Sequence, residues 1–197
     1  MEGLLSPGEL SGRNVTLARM ADVDWRSEAL EQLDFYWEHW RPRLDGLTDA
    51  EYFWEPVADC WSLRPAGGGF RMDFAFETPE PPPFTTIAWR LAHIAGHVFH
   101  LRANSHFGDG SYRMDNEDHP GTAAAALAYL DEQHHAWRDG LGAMDAEAWA
   151  RPVGPAEGPY AERSYLTLVL HLNRELCHHG GEVALLRDLY AHQQPGR

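Results

Sequence analysis

Apolar positions recur at spacings of three and four in four stretches of the chain, the period of amphipathic helices. The first stretch runs from Asp24 to Leu47, with Ala29, Leu33, Tyr36, Trp40, Leu44 and Leu47 on one stripe. Pro42 sits inside it and is expected to kink or end the regular part. The second runs from Thr85 to Phe107 and places Ile87, Leu91, Ile94, Val98 and Leu101 on one side. The third runs from Thr122 to Leu141, with Leu127, Leu130, His134, Trp137 and Leu141. The fourth, Glu162 to His192, is the most apolar. Its Gly180-Gly181 pair costs helix propensity, or marks the close approach of another backbone or ligand.

The connections are of two kinds. Thr48-Asp49-Ala50-Glu51 has the form of a capping box that opens a short helix. Arg71 to Glu77 alternates polar and apolar residues, which predicts a short strand or an extended lid, and Gly67-Gly68-Gly69 and Pro79 to Pro83 punctuate that region. A second irregular stretch, Asp145 to Ala161, joins helices three and four. The pattern predicts an all-α fold, a four-helix bundle with long connections after helix one and before helix four. We read one domain, 1–197, with its core at about 24–192.

Charge narrows the functions open to such a bundle. Lys+Arg is 16 against Asp+Glu 30, a net charge of −14. A nucleic-acid partner calls for a basic face, and an anionic membrane surface repels this balance. No apolar run is long enough to span a bilayer. The opening residues, 1–15, show no basic start followed by an apolar core, so no signal peptide is expected. Two cysteines, Cys60 and Cys177, cannot make a disulfide framework, and a cytoplasmic location is expected. The chain has 12 His, 8 Trp, two Ile and no lysine, a residue usage typical of GC-rich coding.

The histidines are placed for chemistry. On the helix-four wheel, Leu168, Leu172, Glu175, His179, Leu186 and Tyr190 share a narrow arc. An ionised carboxylate inside an apolar stripe needs a cation, a proton or a metal beside it. Glu175 and His179 stand four residues apart, so both side chains reach one point. His171 extends that ladder by a turn and His178 is adjacent. On helix two, His93, His97 and His100 fall on one face. One of them, added to Glu175 and His179, completes a His2Glu set with one position open, the pattern of a catalytic zinc.

Other readings compete for the same residues. A single His in an apolar arc, such as His134, is ordinarily a core residue. Glu132-x-x-His135 and Glu175-x-x-His178 together suggest a di-iron centre, but helix two, Thr85 to Asn104, carries no carboxylate to complete one. Cys177 lies half a turn from Glu175 and reads as core, not as a nucleophile.

The run Thr85 to Ile94 resembles the helix-two signature of the DinB-like superfamily. Asn173 to Glu182, followed by Leu185 to Tyr190, resembles its helix-four signature. That superfamily includes DinB proteins, bacillithiol transferases and the mycothiol-dependent maleylpyruvate isomerase. The resemblance implies a DinB-like topology and one divalent metal held by His93, Glu175 and His179. The metal implied is zinc, with nickel or iron as alternatives. It further implies a metal-dependent S-transferase or isomerase that activates a low-molecular-weight thiol toward a small electrophile. The isomerase is similar in carrying Glu where many members carry His, and the GC-rich coding suits mycothiol.

His97, His171 and His178 are supporting candidates beside the metal, and Arg90 and Arg174 are candidates for holding a substrate carboxylate. The chain differs from the isomerase in its longer connection after helix one and in showing no evident second domain, which leaves the substrate open. The same site could activate water, as in a hydrolase, or serve a non-catalytic metal-binding stress protein. A homodimer is left open.

Overall fold

The computed structural model describes residues 23–77, 79–114 and 117–193. The stretch read for an export signal lies outside the described residues. Four long helices pack as a bundle. The first, α1 (Trp25–Trp40), starts where the Asp24 carboxylate accepts from the Arg26 backbone N–H at 3.1 Å and from the Ser27 hydroxyl at 2.6 Å. It continues as a 3-10 turn, Arg41–Leu44, because Pro42 has no N–H to sustain the α pattern. Along its stripe Ala29, Leu33, Trp40, Leu44 and Leu47 are buried.

The long connection that follows holds α2 (Asp49–Tyr52) and a hairpin of β1 (Leu63–Ala66) and β2 (Gly69–Met72). Thr48 caps α2 by accepting from the Glu51 N–H at 3.2 Å. The reciprocal half of a capping box is replaced, since the Glu51 carboxylate turns to Arg187 at 2.7 Å. Gly67 and Gly68, at φ of 62° and 92°, make the two-residue hairpin turn that only a positive-φ pair allows. The strand thus ends at Met72, earlier than the alternation to Glu77 suggests, and Phe74 and Phe76 stay exposed.

The second long helix has three parts. These are α3 (Ile87–Ala92), a π-helical stretch His93–His100, and α4 (Leu101–Phe107). The third is α5 (Ala123–Ala143), capped by the Thr122 hydroxyl. A short α6 (Ala146–Ala150) and a 3-10 turn, Pro155–Tyr160, lead to α7 (Tyr165–Gln193). Leu33, Leu91, Phe99, Leu130, Trp137 and Leu172 meet in the bundle centre, each fully buried.

Gly180 in α7 explains how closely α1 approaches. A Cβ there would stand 2.6 Å from the Tyr36 hydroxyl and 3.0 Å from the Trp40 ring. The Trp40 indole donates to the Gly180 carbonyl at 2.7 Å. Gly181 faces open space. No helix among the described residues is long and apolar enough to cross a membrane.

Candidate metal centre

The π-helical stretch decides what helix two offers to helix four. Its hydrogen bonds run i→i+5, so each turn is wider than in an α-helix. Residues seven apart then no longer overlay. His93, His97 and His100, expected on one face, are therefore split. His93 faces α7, with its ring centroid 4.7 Å from that of His179. His100 turns toward α5, where its Nδ1 lies 2.6 Å from the Tyr129 hydroxyl.

His93, Glu175 and His179 come together between the two helices, with their ligand-type atoms all within 4.8 Å of one another. The Oε2 of Glu175 lies 3.9 Å from His93 Nε2 and 3.4 Å from His179 Nε2. These gaps are too long for good hydrogen bonds and leave room for an ion between the three atoms. The side chains are 23%, 17% and 15% exposed respectively, so the group sits in a cleft that solvent still reaches.

Neighbouring residues orient each of the three. His179 Nδ1 lies 2.8 Å from Glu182 Oε2, which leaves Nε2 for the cleft. The Glu182 carboxylate also accepts from the guanidinium of the buried Arg90. Trp89 stacks on His93 with the rings 12° from parallel. Arg174 takes the other oxygen of Glu175, Oε1, at 2.5 Å. The His93 imidazole first, and Arg174 with it, hold the Glu175 carboxyl well below the usual carboxylate range. Burial, and then the neighbouring His93, push His179 down to about 4. At neutral pH the pair thus stands as a carboxylate and a neutral imidazole, the forms that coordinate a metal. The donors fit a divalent cation.

A family model described as the DinB superfamily matches residues 32–183, which takes in the second and third long helices, much of the first and last, and every residue of this group. The chain belongs to the DinB superfamily. No match was found among curated proteins. None was found among solved structures.

Other residues singled out in the sequence fall into place around this DinB bundle. His171 lies 3.7 Å from Glu175 Oε1 and pairs with Arg174 at 2.7 Å. His178 is 61% exposed and approaches Glu182, not Glu175. Arg90 and Arg174, candidates for a substrate carboxylate, are already engaged by Glu182 and Glu175. His134 is a core residue, stacked on Trp37 with centroids 3.6 Å apart. Glu132 and His135 face solvent on α5, away from Glu175, so the second half of a di-iron motif is not assembled. Burial raises the Cys177 thiol, which makes it a poor nucleophile.

His97 lines a cavity of about 770 Å³ with Met72, Phe74, Phe76, Glu117 and His119. Its ring centroid is 5.5 Å from that of His93, so the cavity adjoins the His93–Glu175–His179 group. Glu117, His119 and Glu182 were not among the residues expected at a site. The first two lie on a loop without periodicity, and Glu182 only follows His179 by three residues.

Proposed function

We propose that this DinB-superfamily chain is a metal-dependent S-transferase or isomerase that joins a low-molecular-weight thiol to a small electrophile. The observation that carries this reading is the convergence of His93, Glu175 and His179 beside a cavity large enough for a small molecule. A divalent metal, zinc by its His2Glu donors, would lower the pKa of a thiol and make it nucleophilic near neutral pH. The chain's own residues do the rest. Glu182 fixes the His179 tautomer, Trp89 fixes the plane of His93, and Arg174 holds Glu175 so that Oε2 faces the cleft. Phe74, Phe76 and Met72 give the cavity apolar walls that favour an organic electrophile over water. His97 stands at the border of the two. Burial brings its pKa down to about 3, so its ring is neutral at pH 7.

Mycothiol is the thiol we favour, on the carboxylate at position 175 and the residue usage of the chain. A cytoplasmic enzyme follows from that choice. Native mass spectrometry of zinc-loaded protein with candidate thiols tests the reading. One thiol bound per chain, lost in His179→Ala, supports it. Absence of thiol binding at millimolar concentration, together with thiol-independent cleavage of esters or amides, replaces it with a hydrolase.

A further inference from the structure

We propose that His97, Glu117 and His119 form a second divalent-cation site on the cavity wall, distinct from the group of His93, Glu175 and His179. The three residues come from the π-helical stretch and from the loop before α5, and their ligand-type atoms all lie within 4.8 Å of one another. They share no residue with the first group.

The gap between His119 and Glu117 points to a missing ion. The His119 side chain is 2% exposed. Its Nε2 is 3.6 Å from Glu117 Oε2, too far for a hydrogen bond and suited to an ion between them. A buried imidazole and a buried carboxylate that face each other without a hydrogen bond make a costly pair unless an ion bridges them. His134 is also unpartnered, but it lies flat on Trp37 and belongs to none of the metal-type groups among the described residues. The contrast separates a packed core imidazole from one set beside two further donors.

Glu117 is fixed in orientation by two tyrosine hydroxyls. Its side chain is 6% exposed. The Tyr129 hydroxyl donates to Oε1 at 2.5 Å and the Tyr112 hydroxyl donates to Oε2. His100 in turn meets the Tyr129 hydroxyl. Such outer hydrogen bonds orient carboxylate ligands around metals. Gly96, on the π-helical stretch, makes the space, for a Cβ there would stand 2.7 Å from Glu117 Oε2. His97 completes the set, half-buried and with no hydrogen bond to its ring among the described residues. Two imidazoles and one carboxylate suit zinc, and the side toward the cavity stays open for an oxygen of a bound molecule.

Zinc titration of chelator-stripped full-length protein, counted by native mass spectrometry, tests the site. The expected count is two zinc ions per chain in the wild type. His179→Ala should hold one, Glu117→Gln one, and the double variant none. His119→Ala is a poor probe alone, because its side chain is 2% exposed and its removal leaves a cavity under the loop. His97→Gln, on a helix, serves as the second variant and should also hold one, with an unchanged thermal melt. A second zinc ion that survives both Glu117→Gln and His97→Gln overturns the proposal, as does a wild type whose single zinc is kept in both. A single zinc lost in Glu117→Gln but kept in His179→Ala would leave this site standing and remove the other.

Discussion

His179 and Glu182, three residues apart on α7, are joined through Nδ1 and Oε2 at 2.8 Å, so the imidazole presents Nε2 to Glu175. A carboxylate behind a coordinating imidazole fixes its tautomer and raises its basicity. Its removal typically weakens a metal site ~10–100-fold. Glu182→Gln should therefore lower zinc affinity at this group by about that factor while His179→Ala abolishes it. Competition with a chromophoric chelator measures both. Equal affinities in Glu182→Gln and wild type would show that the contact does not support a metal.

Glu175 and His178 are neighbours on the helix with different surroundings. Glu175 faces His93 and His179, whereas His178 is largely in solvent beside Glu182. Glu175→Gln removes the anionic donor and should cost more zinc than His178→Ala, which is expected to keep nearly full occupancy. Elemental analysis of the two purified variants decides it, and the reverse order would rule out this ligand set.

The two adjacent glycines of α7 should respond in opposite ways. At Gly180 a methyl group meets the Tyr36 hydroxyl and the Trp40 ring, so Gly180→Ala must push α1 away or shift both side chains. Overpacking of this kind costs about 1–3 kcal/mol. At Gly181 the new methyl meets nothing, and Gly181→Ala should gain up to ~1 kcal/mol of helix propensity. Urea denaturation of the two variants and wild type gives both differences directly.

Acid should destabilise the fold through His134. Burial brings its pKa down to about 4 from the ordinary 6.5, and it packs neutral against Trp37. Between those values the unfolded chain binds the proton and the folded one does not. Stability is thus complete above pH 6.5 and falls as pH drops toward 4, by on the order of 3 kcal/mol. His134→Phe keeps the stack and removes the proton, so its melting temperature should fall less steeply over that interval. Parallel slopes for the two proteins would mean that His134 titrates normally.

Burial along each helix was legible because a periodic stripe needs only a partner surface, whatever that surface is. The stripe of α1, the break at Pro42 and the Glu175–His179 pair all follow from local spacing, and the matched segments carried the family. The close approach at Gly180 was visible as one of two possibilities, and only the packing of Tyr36 and Trp40 chose between them. Leu63–Ala66 was not foreseen as a strand, since its side chains alternate weakly and its pairing with Gly69–Met72 is a tertiary fact.

The division of the three helix-two histidines lay beyond the sequence for a different reason. A wheel assumes one hydrogen-bond register, and the wider π turns of His93–His100 broke that assumption. Glu117 and His119 reach His97 from a loop some twenty residues along the chain, a distance that no periodicity spans. The sequence by itself determined which helices form and which of their faces are buried, because those depend on neighbours three or four residues away. The tertiary structure decided which polar groups share a cavity, because that depends on how the connections fold back across the bundle.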